Sequence, residues 1–137
     1  MYGGSYGGYL AAMALAKDSK LFAVGVDIHG VHNMDGRIPV SPNFERAKDE
    51  DQARELAWLS SPVAHLEGLI SPILLIHATD DRNVDFSQSL DFARRLQKGG
   101  IPFEQLVIPD DTHHWMKFSN LLKVHQATVE FLERHLK

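Results

Sequence analysis

Three short apolar runs, separated by helix-patterned sequence, most constrain what this chain can fold into. Residues 21–28 (Leu-Phe-Ala-Val-Gly-Val-Asp-Ile) are almost continuously apolar. A strand with one wet face would alternate with polar residues, so this run reads as a strand covered on both faces. Ile73 to Ala78 and Phe103 to Ile108 read as the second and third strands. Residues 6–17 form a helix with Tyr9, Leu10, Met13 and Ala16 on one stripe. Residues 50–59 return to helical spacing, with Ala53, Leu56 and Ala57 inward, and Ser60-Ser61-Pro62 caps a short helix through about Glu67. Phe86 to Lys98 carries Leu90, Ala93 and Leu96 on its stripe and is stopped by Gly99-Gly100. Ser119 caps a last helix whose inner face holds Leu122, His125, Val129, Leu132 and Leu136. Between His29 and about Asp49, Gly30, Gly36, Pro39 and Pro42 break every period, so that stretch is an irregular loop. Strands alternating with helices predict a parallel sheet with right-handed crossovers. The expected fold class is α/β, a three-layer domain over residues 1–137 with about three parallel strands flanked by helices.

In open parallel sheets, working residues lie beyond the carboxyl ends of strands. Three positions there carry chemistry. Gly3-Gly4-Ser5-Tyr6-Gly7 fits Gly-x-Ser-x-Gly, in which a serine hydroxyl is held out on a sharp strand-to-helix turn. The serine backbone is strained there, and its neighbours must lack side chains so that strand and helix can approach. Gly3 and Gly7 are expected to provide that room. The following helix aims free N–H groups at the place where an oxyanion would form. A phosphate-binding loop would need a lysine after the glycines, and Tyr9-Leu10-Ala11 offers none. Asp81 follows the second strand and His113 the third, so Ser5, Asp81 and His113 can gather along one edge. The order Ser, Asp, His is that of α/β-hydrolases.

Gly4-Ser5-Tyr6-Gly7-Gly8-Tyr9 resembles the elbow of the prolyl oligopeptidase family of serine peptidases. Leu74 to Val84 is similar to that family's acid segment, in which the catalytic aspartate stands three residues before a valine. Asp81 holds that place before Val84, with Asp80 as its rival, and Ala78 replaces the usual glycine. Ile108 to His114 resembles the histidine loop, with His113 in the catalytic position and His114 as its neighbour. The resemblance implies a Ser5 nucleophile, a His113 base, an Asp81 orienting acid and the Tyr6 N–H as oxyanion donor, acting on short peptides without a cofactor. It also implies a second oxyanion donor and a β-propeller upstream of the elbow. Residues 1–137 are therefore expected to be the C-terminal part of such a catalytic domain, of reduced activity alone. An esterase or lipase on the same triad and a non-catalytic remnant of the peptidase domain are the alternatives.

Composition narrows the partners. The 137 residues are 44% hydrophobic and 23% charged, which suits one compact domain with a modest core. A formal net charge of −4 with no basic block argues against nucleic acid. No apolar run approaches the roughly 18–20 residues that span a bilayer, and no targeting segment is visible. Without cysteine, disulfides and thiolate metal sites are excluded. His29, His32 and His77 could be imagined as metal ligands with His113 and His114, but His29 and His32 lie in the broken loop, not at i and i+4 on a helix, and His77 matches a structural position at a strand end, so no metal site is expected. Only Met1 to Gly4 precede the serine, too few for the expected central strand. The strand at residues 21–28 is then expected to expose a bare edge, favouring self-association or capture of an N-terminal complement.

Overall fold

The computed structural model describes residues 1–37 and 49–136, so Pro39 and Pro42 of the expected loop lie outside the described residues. Among the described residues, four strands form one parallel sheet: β1 (Tyr2–Gly4), β2 (Gly25–Ile28), β3 (Ile73–Ala78) and β4 (Phe103–Ile108), in spatial order β1-β2-β3-β4. Connecting or following them among the described residues are the α-helices α1 (Tyr6–Asp18), α2 (Glu50–Leu59), α3 (Ser87–Lys98) and α4 (Phe118–His135). Short 3-10 segments cover Asp35–Arg37 and Pro62–Gly68.

The fourth strand corrects the sequence expectation. Tyr2, Gly3 and Gly4 pair with Val26, Asp27 and Ile28, and the Val26 N–H donates to the Met1 carbonyl at 2.9 Å. Three residues suffice because β2 is already fixed on its other side by β3, from Gly25↔Ile73 to Ile28↔Ile76. Among the described residues, the unpaired edge on this side of the sheet therefore belongs to β1, not β2.

Period-two alternation along β3 builds the three layers. Ile73 and Leu75 face α1, α3 and the Pro62–Gly68 turn, where Ala12, Leu15, Leu69, Phe92 and Leu96 pack. Leu74, Ile76 and Ala78 point the other way, onto Val26, Ile28, Ile108 and the Val124 and Phe131 side chains of α4. All six β3 residues are buried.

The helices are where expected, but rotated. In α1 the buried side is Gly8, Ala11, Ala12, Leu15 and Ala16, while Leu10 is 42% exposed. Small residues take the inner face because the helix lies almost against β2. A Cβ on Gly8 would overlap the Asp27 carboxylate and sit 2.9 Å from the Ile28 carbonyl oxygen. In α4 the inner face is Asn120, Val124, Thr128 and Phe131, and Leu122, Val129 and Leu136 point outward. That helix starts at Phe118, so Ser119 is not its cap. In α3, Phe92 replaces Leu90 inside. No residue of α2 is buried, Leu56 and Ala53 included. Counting apolar residues misjudged these faces, because Thr128 and Asn120 are buried through hydrogen bonds to Val124 and Asp111.

The glycines and the sheet edge each lead to a prediction. Gly3 does provide the expected room, since its Cβ would fall 2.5 Å from the Gly7 backbone, but a Cβ on Gly7 itself meets nothing. Gly8→Ala is expected to destabilise the fold by about 1–3 kcal/mol through overpacking, whereas Gly7→Ala, in an open first turn, should be neutral or stabilising by up to about 1 kcal/mol. Chemical denaturation of both variants checks this order. The bare β1 edge, beside exposed Tyr2, Tyr6 and Leu10, should make the chain self-associate in a concentration-dependent way. Light scattering over a dilution series should show it, and a monodisperse monomer throughout would contradict it.

Candidate active site

The elbow is built by strain. Ser5 has φ 56° and ψ −116°, a conformation costly for a residue with a Cβ. It is held because the Ser5 N–H donates to the Ile28 carbonyl at 2.8 Å and its own carbonyl accepts from Tyr9 at 3.1 Å. The chain thus turns from β1 directly into α1, with Tyr6 as the first helical residue. The Tyr6 N–H belongs to the first turn, whose donors have no acceptor within the helix. The Tyr6 ring is exposed and tilts against Tyr9 at 5.3 Å.

Asp81 sits just past β3 and is buried. Its Oδ1 accepts from the backbone N–H groups of Asn83 at 2.8 Å and Val84 at 2.9 Å. Oδ2 then faces inward, 2.6 Å from His113 Nδ1 and 3.2 Å from His77 Nε2. Burial alone pushes this carboxyl up, but the Val84, His113 and Asn83 hydrogen bonds and the charge on His113 outweigh it and hold it below the usual carboxylate range. It is therefore ionised at neutral pH. His113 Nδ1 must then donate to it, which leaves Nε2 as the free, basic nitrogen. Asp80 is exposed and its backbone N–H bonds to the Asp111 carbonyl at 3.1 Å. Of the two adjacent acids, Asp81 is the one that reaches His113.

His77 supports this arrangement from β3. Its Nε2 also lies 3.0 Å from the Val84 carbonyl, which can only accept, so Nε2 carries the proton and Nδ1 accepts from the Ser89 hydroxyl at 2.7 Å. Burial pushes His77 down, so it stays neutral.

The histidine loop is shaped by Asp111, a role that nothing in the local sequence marks. Asp111 is buried and accepts from the N–H groups of Thr112 and Met116 and from the Asn120 side chain at 2.8, 2.7 and 2.8 Å. It thereby ties the loop to the start of α4. Positive φ at Asp110 (52°) and Trp115 (51°) folds the loop tightly around His113. His114 is exposed, with its ring edge-on to His113 at 5.4 Å.

A second residue missed from sequence is His29. It follows β2, has φ 46°, and is 6% exposed. Its ring stacks on His113 with centroids 3.9 Å apart and on Trp115 at 5.5 Å. Its Nε2 would lie 3.3 Å from a Cβ on Gly4, so it fills the space between the elbow strand and the histidine loop. Burial first, and then the neighbouring His113 charge, lower it to about 4. The segment that delivers it is clamped by a buried pair, His32 and Asp27. His32 Nε2 bonds Asp27 Oδ2, and Asp27 Oδ1 accepts from the Gly30 N–H at 2.9 Å. Gln88 of α3 accepts from the His32 and Asn33 N–H groups, each at 2.9 Å. The only sequence signal for His29 was its place one residue after a buried strand.

Ser5, His113 and Asp81 therefore lie at the carboxyl edge of the sheet, as expected. The Asp81–His113 bond is formed. Among the described residues the Ser5 hydroxyl makes no hydrogen bond, and the His29 ring, stacked on His113, lies against Gly4. Such bonds are often long without substrate and tighten when it binds. An apolar depression lined by Leu66, Leu69, Ile70, Ile101 and Pro102 lies at the opposite, amino ends of β3 and β4. No helix among the described residues is long and apolar enough to cross a membrane.

A parallel sheet with helices on both faces, a strained strand-to-helix serine and an Asp–His pair past the later strands define the α/β-hydrolase class. Within it, the chain belongs to the prolyl oligopeptidase family, whose pattern matches residues 1–137. It is 30% identical to dipeptidyl peptidase family member 6 of Caenorhabditis elegans over 98% of this chain and 20% of that protein. It is 32% identical to the inactive dipeptidyl peptidase 10 of Rattus norvegicus over 83% of this chain and 14% of that protein. The Pyrococcus horikoshii acylaminoacyl peptidase structure superposes with a TM-score of 0.82 at 28% identity, over 99% of this chain and 24% of that one. The chain thus spans about a fifth or less of the length of these curated relatives, and corresponds to the C-terminal part of the catalytic α/β-hydrolase domain.

The buried neutral histidines give a pH prediction. An unfolded histidine titrates near 6.5, whereas folded His29 titrates at about 4. Between these values the unfolded chain binds more protons, so stability is full above pH 6.5 and falls as pH drops through 6.5 to 4. The His29 contribution to that loss is about 3 kcal/mol, and His77 acts in the same direction. Denaturation midpoints measured from pH 7.5 to 4 should decline, and His29→Phe should flatten the decline.

Proposed function

We propose that this chain carries the serine-peptidase machinery of its family and cleaves short peptides by acyl transfer to Ser5. The observation that carries the reading is the 2.6 Å Asp81–His113 hydrogen bond at the same carboxyl edge of the sheet as a strained Ser5. Because Asp81 fixes the Nδ1–H tautomer, His113 Nε2 is the base that takes the Ser5 proton as its oxygen attacks the scissile carbonyl. The tetrahedral oxygen is met by the Tyr6 N–H at the head of α1. His113 then returns the proton to the leaving amine, and water hydrolyses the acyl-enzyme by the same steps in reverse order. Asp81 stays ionised and stabilises the imidazolium that forms.

Family membership alone does not supply activity, since one relative of comparable identity is named an inactive dipeptidyl peptidase. What favours a working site is the presence here of serine, histidine and aspartate at one sheet edge. Whether the substrate is a peptide, and how it is presented, belongs to the whole protein and rests on family likeness. The family likeness implies a second oxyanion donor outside residues 1–137, and removal of one such donor costs about 2.7–4 kcal/mol in the transition state, so turnover by residues 1–137 alone is expected to be slow.

The test is covalent labelling with a fluorophosphonate, located by mass spectrometry. Ser5 should be labelled, Ser5→Ala should not, Asp81→Asn should slow labelling on the order of 10³–10⁴-fold, and Asp80→Asn should leave it unchanged. Absence of label on Ser5 in the folded chain would favour a non-catalytic binding role. Turnover of p-nitrophenyl esters without any turnover of peptide amides would favour an esterase.

A further inference from the structure

His29, Asp81 and His113 each offer a ligand atom, and these atoms lie within 4.8 Å of one another. His29 Nδ1 is buried and has no hydrogen-bond partner, in a side chain more than nine-tenths buried. An orphaned buried polar atom is unfavourable, and a bound ion would satisfy it. Acyl transfer through Ser5 makes no use of this imidazole.

We propose that these three residues form a zinc-binding site that switches the active site off. Two imidazoles and one carboxylate suit Zn²⁺, whereas Mg²⁺ and Ca²⁺ select shells made of oxygen. The ion takes the place of the proton between His113 Nδ1 and Asp81 Oδ2, and that proton leaves to solvent. His29 supplies the third ligand and water the fourth. Zinc–nitrogen bonds of about 2.0–2.1 Å set tetrahedral ligand atoms about 3.3 Å apart. The Nδ1–Oδ2 pair therefore opens from 2.6 Å, and the stacked His29 and His113 rings, with centroids 3.9 Å apart, turn so that one nitrogen of each faces the ion, the three residues already offering ligand atoms within 4.8 Å of one another. The outer shell is already in place. Asn83 and Val84 hold Asp81 Oδ1, leaving Oδ2 turned to the histidines, and Trp115 backs the His29 ring.

Bound zinc ends the Nδ1–H donation to Asp81 on which the base depends, so nucleophilic attack by Ser5 is blocked. That consequence rests on the serine-peptidase reading, while binding itself does not.

Calorimetric titration of the chain with ZnCl₂ tests binding without needing activity. One ion per chain is expected, with affinity lowered at least about tenfold in both His29→Phe and His29→Gln, and with no comparable binding of MgCl₂. Circular dichroism identifies which of the two variants retains the fold, and the comparison is made on that one. No binding of Zn²⁺, equal affinity in the folded variant, or Mg²⁺ binding of equal strength would overturn the site. Fluorophosphonate labelling of Ser5 with and without ZnCl₂ reads the consequence. Slowing by zinc in the parent chain, relieved in the His29 variant, supports the switch, and zinc bound with no slowing overturns it. A chain never labelled, even in metal-free buffer, contradicts the peptidase reading and with it the switch, while the calorimetry still decides whether zinc binds.

Discussion

The buried carboxylate of Asp81 ties together segments that lie far apart in the chain. Two backbone N–H groups of its own turn hold one oxygen, and His77 from β3 and His113 from the loop after β4 meet at the other. Each contact constrains another. The Asn83 and Val84 bonds orient the carboxylate. His77, anchored on Ser89 of α3, ties it to the helix packed on one sheet face. His113 receives its tautomer and its orientation from what is left. An isolated carboxylate here would be expensive, and a mispaired one would reprotonate and lose the histidine. Asp81, His77 and His113 meet one another's hydrogen-bonding needs, which is what makes a buried polar network stable.

Strain is concentrated at the same edge. Ser5, His29, Asp110 and Trp115 are the non-glycine residues with positive φ among the described residues, and each follows a strand or borders His113. The packing beneath pins them: Ile28 accepts from Ser5, Ile76 accepts from His29 at 2.7 Å, and Asp111 ties the histidine loop to α4. The rigid, fully buried β3 thus positions a cluster of conformations that would be unfavourable in isolation.

Much of this was legible in the sequence. Near-continuous apolar runs identified β2 and β3, and the glycine-flanked serine, the acid before Val84 and the histidine after Asp111 marked the edge. The missed features have physical reasons. β1 is too short to carry a pattern of its own and forms because β2 presents an open ladder to it. The helix faces of α1 and α4 were misjudged because small and hydrogen-bonded residues, Ala12, Thr128 and Asn120, do the packing there. His29 and Asp111 gain importance only from contacts with residues outside their own local pattern, which no period encodes.

The central claim is that Asp81 and His113 share one hydrogen bond that sets the histidine's tautomer. Nitrogen-15 and proton NMR of the imidazoles tests it most directly. His113 should show a strongly downfield Nδ1–H proton, and that proton signal should vanish in Asp81→Asn but persist in Asp80→Asn. A neutral His113 ring carrying its proton on Nε2 rather than Nδ1, or a downfield proton unaffected by Asp81→Asn, would contradict the account.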